Sequence, residues 1–222
     1  VNWVDVCGAP GSGKSTLCDP IWGPHELPIE NRLPPAKWHD FLNEVTRLFH
    51  LIQPHPSFGA AVRMNNRSVR KVATVARSTT PGPYIQTALV QRGLGFGWRL
   101  NDMGVSLDEL RHYFRLMPVS IGVAITRCPE EVVVERNRDR EKVQATANEN
   151  RGFMVPLMRP AIEIAKEVLS ERGVPIIEID TTGDPGQGRQ RLIHFATQAD
   201  FDDEAGRCCG EVEVLSPPPW WV

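Results

Sequence analysis

Gly8-Ala9-Pro10-Gly11-Ser12-Gly13-Lys14-Ser15 completes the spacing G-x-x-x-x-G-K-[ST], and Thr16 follows directly. The apolar run at residues 2–7 reads as a strand, and the residues after the motif read as a short helix. Between a strand and a helix, the glycines let successive backbone N–H groups converge on phosphate oxygens. Lys14 then reaches the β and γ oxygens, and the Ser15 hydroxyl can take a place on Mg²⁺. The stretch predicts a nucleoside triphosphate site made by Gly8, Ala9, Pro10, Gly11, Ser12, Gly13, Lys14, Ser15 and Thr16.

The chain has 222 residues, of which 41% are hydrophobic, enough for one α/β domain with an elaborated insertion. We expect a three-layer α/β domain with a mostly parallel sheet over residues 1–199, an insertion at about 36–115, a further helical segment at about 129–155 and a tail at 200–222. No apolar run approaches the roughly 20 residues that span a bilayer, and no signal segment precedes the first strand. The expected setting is soluble and cytoplasmic, with no membrane partner. Five cysteines, Cys7, Cys18, Cys128, Cys208 and Cys209, show no zinc-type pairing and are expected as reduced thiols.

The net charge of -2 hides a strong polarity along the chain. From Val45 to Asn101 there is no acid, whereas Arg47, Arg63, Arg67, Arg70, Lys71, Arg77, Arg92 and Arg99 all fall there. The tail carries Asp200, Asp202, Asp203, Glu204, Glu211 and Glu213. Residues 60–77 have helical periodicity. Arg63, Arg67, Arg70 and Arg77 fall on one face and Ala61, Val69, Val72, Val75 and Ala76 on the other. A basic stripe with no acids in its own segment points to a phosphate backbone, and Arg63, Arg67, Arg70, Lys71 and Arg77 are its candidate contacts. Asn65 and Asn66 lie beside it. Trp38, Phe96 and Trp98 are candidates either for the core or for stacking on an extruded base.

Residues 84–90, 119–126 and 174–179 are continuous apolar runs, as expected of strands buried in a parallel sheet. Helices are expected at 129–142, 157–171 and 187–198. Prolines break the chain between residues 20 and 35 and again at 54–56. A second constellation, Arg127-Cys128-Pro129-Glu130-Glu131-Val132-Val133-Val134-Glu135-Arg136-Asn137-Arg138-Asp139-Arg140, runs from a strand end into a helix. Arg136 and Arg140 are one turn apart and face the same way. Two planar, permanently charged forks can therefore reach the oxygens of a transferring phosphoryl group.

The phosphate loop, Cys-Pro-Glu-Glu-(x)4-Arg-Asn-x-x-Arg and Val-Pro-Ile-Ile-Glu-Ile-Asp-Thr-Thr-Gly-Asp-Pro together resemble the small P-loop kinases, specifically the polynucleotide kinase branch. The resemblance implies ATP and Mg²⁺ as cofactors and Arg136 and Arg140 as lid arginines. It also implies an adenine loop at Thr182, Gly183, Asp184 and Pro185. The middle of the chain departs from that pattern. The layout also resembles the phage 5-hydroxymethyluracil DNA kinases, which phosphorylate a base hydroxymethyl group. That likeness implies DNA as partner, with the modified nucleotide extruded.

Such kinases place a carboxylate after the second strand to accept the proton of the attacking hydroxyl. Glu30 and Asp19 are the two candidates, with Arg32 near enough to Glu30 to hold an acceptor phosphate. The acid that usually supports Mg²⁺ after a strand is missing at Gln91-Arg92-Gly93, and Asp102 is the candidate substitute beside Ser15. Free nucleosides or nucleotides and 5'-hydroxyl ends are alternative acceptors, and an ATPase or GTPase switch is the alternative of another class. The chain has no N-K-x-D guanine motif.

Overall fold

The computed structural model describes the backbone of residues 3–22, 36–75, 84–118, 120–143 and 154–201. Side chains are described for all of these except 19–22, 36, 84–86, 138–143 and 199–201. Among the described residues the sheet contains β1 (Trp3–Cys7), β2 (Tyr84–Gln86), β3 (Gly122–Arg127) and β4 (Ile176–Asp180), all parallel, in the order β2-β1-β3-β4. The phosphate loop leaves the end of β1 and enters α1 (Lys14–Trp22). A 3-10 turn at Ala36–Trp38 leads into α2 (His39–Ile52), followed by α3 (Phe58–Val75), α4 (Leu89–Asp102) and α5 (Asp108–Leu116). The helices α6 (Glu130–Val143), α7 (Met154–Glu171) and α8 (Pro185–Phe201) complete the described chain.

Strand β1 is buried from end to end, and its alternation sorts the interior into two cores. Trp3 and Cys7 join the larger core with α2, α3, α4, α5 and α7, while Val4 and Val6 join the smaller one with Leu17 of α1 and Leu192 and Ala196 of α8. Helices therefore cover both faces of a parallel sheet, the arrangement that forces continuous apolar strands. Trp38, Phe96 and Trp98 are all buried in the larger core. Phe96 packs on Tyr113 with ring centroids 5.7 Å apart, and Tyr113 packs on Phe41 at 5.3 Å. Burial on that scale makes these aromatics core residues and removes them from any stacking role.

The expected strand at 84–90 is corrected at its second half. It ends at Gln86, and Leu89 and Val90 open α4. The reason is a tertiary contact: the Asp5 carboxylate on β1 accepts hydrogen bonds from the N–H groups of Ala88 at 2.9 Å and Val90 at 2.7 Å. An acid on a neighbouring strand thus satisfies donors that a helix start leaves unpaired, and α4 forms where local apolarity favoured a strand. Both β2 and α4 lie within residues 36–115, so that stretch includes part of the sheet layer.

Candidate active site

The phosphate loop is shaped by its own backbone and locked by hydroxyls from the neighbouring strand ends. Gly11 and Gly13 have φ of 83° and 86°, a region that side chains disfavour, and a Cβ on Gly11 would lie 2.9 Å from Asn137 Oδ1. Thr126, at the end of β3, donates to Cys7 O at 3.1 Å, and its Oγ1 lies 2.5 Å from Ser12 Oγ, which donates to it. Thr181, just past β4, places its hydroxyl 2.8 Å from Ser12 O and 3.0 Å from Arg127 O. The Gln91 Oε1 of α4 accepts from Gly8 N at 2.9 Å. Lys14 Nζ donates to Gly8 O and Ala9 O at 2.8 and 2.7 Å, so the ammonium is folded over the loop it serves. Ser15 and Thr16 are exposed at the start of α1.

Helix α6 is latched onto this loop. Asn137 is 2% exposed; its Nδ2 donates to Pro10 O at 2.9 Å while its Oδ1 is buried without a partner. Arg136 donates to Thr181 O at 3.0 Å and touches Cys128 Sγ at 3.5 Å. Since Thr181 also bonds Ser12 O, one predicted lid arginine is tied to the loop through a single residue. Arg140 lies on the same helix, but its side chain is outside the described residues. Thr182, Gly183, Asp184 and Pro185 are exposed and open α8, with Asp184 Oδ1 accepting from Gly186 N at 2.9 Å. They follow Thr181 directly, which puts that exposed loop at the rim of the phosphate loop.

One candidate is corrected by geometry. Asp102 ends α4, while Gln91 near the start of the same helix touches Gly8. Eleven residues at 1.5 Å each put Asp102 ~16 Å further along the axis. It pairs with His55 at 3.1 Å and so is not a ligand beside Ser15. Mg²⁺ would be held by the triphosphate oxygens and the Ser15 hydroxyl, the described side chain that fits it; the residue expected to be acidic is Gln91, a neutral amide committed to Gly8. Glu30, Arg32 and Arg77 lie outside the described residues, as does the side chain of Asp19. Cys7 and Cys18 are buried and Cys128 is half-buried, while Cys208 and Cys209 lie outside the described residues.

The basic block divides on inspection. Arg63 and Arg67 are exposed on α3, opposite its buried face of Ala61, Asn65, Val69 and Val72, and Arg70 and Lys71 are half-buried. Arg47 is neutralised by Glu44 and Glu109. Arg99 is buried against Trp98 and bonded to Ser57 Oγ and Gly95 O. Sequence reasoning missed Asp5, Gln91, Thr126, Asn137 and Thr181 as parts of the site. Only Asn137 carried a signal, as the second residue of Arg-Asn-x-x-Arg.

No protein-family model matches the chain, and no curated protein matches it. Among solved structures, the deoxyadenosine kinase from M. mycoides with bound dATP superposes with a TM-score of 0.53 at 13% identity, over 88% of this chain and 99% of that one. The chain has a P-loop kinase fold. Around the loop the structure gathers the Lys14 ammonium, backbone amides and, through Thr181, the Arg136 guanidinium, and groups of these kinds can stabilise charge on a transferring phosphoryl.

Proposed function

We propose that this protein is an ATP-dependent kinase that transfers the γ-phosphoryl group to a hydroxyl of a nucleoside-type acceptor, with a free nucleoside or nucleotide as the acceptor. The observation that carries the reading is the latch between the lid helix and the phosphate loop, Asn137 to Pro10 and Arg136 to Thr181 to Ser12. Arg136 adds a second cation to that of Lys14 beside the loop, which suits phosphoryl transfer, and the sequence has no N-K-x-D motif of a guanine-nucleotide switch. In the reaction the acceptor oxygen attacks the γ-phosphorus, the bond to the β–γ bridging oxygen breaks, ADP leaves, and the hydroxyl proton passes to a carboxylate, Glu30 or Asp19. Lys14 and Arg136 neutralise the equatorial and leaving oxygens. Mg²⁺, carried with ATP, adds Lewis-acid charge neutralisation.

A second reading, transfer to the hydroxymethyl group of 5-hydroxymethyluracil in DNA, is favoured by the exposed Arg63 and Arg67. Labelled ATP offered with the deoxynucleosides, their monophosphates, 5'-hydroxyl ends, and duplex DNA with and without 5-hydroxymethyluracil decides among the acceptors. Lys14→Ala should lower transfer to the true acceptor by at least about a hundredfold. ATP hydrolysis with no transfer to any acceptor would replace the kinase reading by that of a switch.

A further inference from the structure

We infer that Arg92 and Arg67 bind a phosphate group of the acceptor beside the triphosphate loop, so that the second substrate is an anion and not a neutral nucleoside. The inference rests on the kinase reading for what the anion is, and on the following geometry for its place. Arg92 is in the first turn of α4, next to Gln91, which holds Gly8 N. That turn cannot drift. Asp5 bonds its first amides, Tyr113 OH donates to Leu89 O at 2.8 Å, and the Tyr113 and Phe114 rings lie so close to Gly93 that no Cβ would fit.

Among the described residues, no acid forms an ion pair with the guanidinium held there. Its Nε is shut away from solvent without a hydrogen-bond partner. Burial pushes its pKa down, and the charge of Asp5 opposes that fall without overcoming it. Asp5 spends its oxygens on the amides of Ala88 and Val90 and so does not bond the fork. Arg67, exposed on α3, is close enough to lower the pKa of Arg92 further, and Arg99, two turns along α4, is buried with its own pKa lowered to about 10, first by burial and then by Arg92. Arg99 is satisfied by Ser57 and Gly95. The protein therefore gathers cations about one fixed fork whose Nε no oxygen of the described residues caps, and the charge of Asp5 offsets only part of the cost of its desolvation. A phosphate matches that need: its oxygens take the planar fork of Arg92, and its charge is screened from the rim by Arg67. The phosphate has two sources, a nucleoside monophosphate or the backbone of a polynucleotide.

Calorimetric titration of the full chain saturated with ADP tests the site without requiring turnover. The probes are the four deoxynucleosides, their 5'-monophosphates and a single-stranded dodecamer of mixed sequence. Wild-type protein is expected to bind a phosphate-bearing probe roughly ten- to a hundredfold tighter than the matching nucleosides. Arg92→Gln should abolish that preference, and Arg92→Lys and Arg67→Gln should reduce it, while ADP affinity stays within about twofold. A gain confined to monophosphates identifies a nucleotide acceptor, and a gain confined to the dodecamer identifies a nucleic acid. Equal binding of nucleosides and phosphate-bearing probes by wild type overturns the inference. So does a parallel loss of nucleoside and monophosphate affinity in Arg92→Gln, which marks a packing role, or a loss of ADP affinity, which assigns the fork to the nucleotide already bound. Should Arg92→Gln not fold, Arg92→Lys and Arg67→Gln read the same preference. Phosphate-dependent binding in a protein that transfers nothing from ATP keeps this site and removes the kinase reading, whereas transfer to nucleosides without preference for anions does the reverse.

Discussion

Asp5 shows how one side chain can be worth more to a fold than its own stability. Fully buried on β1, it has a pKa raised to about 6, mainly by burial, with the amides of Ala88 and Val90 and the charge of Arg92 opposing the rise. Because the folded pKa lies above the unfolded value of 3.8, the native state holds this proton more tightly. The contribution is complete below pH ~4 and is lost as pH rises through 6, amounting to about 3 kcal/mol for two pH units. Urea unfolding of wild type and Asp5→Asn from pH 4 to 8 should show the stability difference moving by that amount against wild type and flattening above pH 7. A pH-independent difference would mean that Asp5 is hydrated in the folded protein. The same charge raises the neighbouring Cys7 thiol well above its ordinary pKa, after burial itself, so Cys7 is inert as a nucleophile.

At the level of elements, α6 is held at the site because two adjacent residues bond two different segments, the phosphate loop and the residue just past β4. Asn137 reaches the Pro10 carbonyl and Arg136 the Thr181 carbonyl. One hydrogen bond contributes about 1 kcal/mol net, and the buried, unpartnered Oδ1 of Asn137 costs a similar amount. Asn137→Ala should therefore change unfolding stability by no more than about 1 kcal/mol while, on the proposed role of Arg136 at the γ-phosphate, lowering kcat about tenfold. Asn137→Asp should also weaken ATP binding, because it turns a donor into an acceptor facing Pro10 O and adds negative charge beside the phosphates. Steady-state kinetics with a direct ATP-binding measurement separate the two effects. Unchanged kcat in Asn137→Ala would show that the latch is only a packing contact.

For the whole molecule, the acid-free block serves at least three purposes. Arg47 forms surface ion pairs, Arg92 is half-buried and Arg99 buried along α4, and Arg63 and Arg67 remain exposed on α3. If that exposed face meets DNA, the logarithm of affinity should fall with the logarithm of salt concentration by roughly 0.9 per phosphate contact. Arg63→Ala/Arg67→Ala should then flatten the slope by roughly 2 and leave ATP affinity unchanged. Identical slopes for the two proteins would leave the free nucleotide as acceptor. Among the described residues no helix is long and apolar enough to cross a membrane.

What the sequence determined by itself is everything encoded by short-range spacing. G-x-x-x-x-G-K-[ST] between strand and helix needs only its own backbone to be a phosphate loop, the apolar runs mark β1, β3 and β4, and one helical turn places Arg136 and Arg140 together. The Arg63 and Arg67 stripe also followed from periodicity, since α3 buries the opposite face. The tertiary structure decided what depends on residues far apart in the chain. Gln91 finds Gly8 83 residues away, Asn137 finds Pro10 across 127, and Thr181 finds Ser12 across 169. No local pattern records such pairs. Asp5 made α4 begin where apolarity alone predicted strand, and the axis of α4 carried Asp102 away from Ser15. Burial, which no local pattern reveals, separated the half-buried Arg92 from the exposed Arg63 although both belong to one basic block.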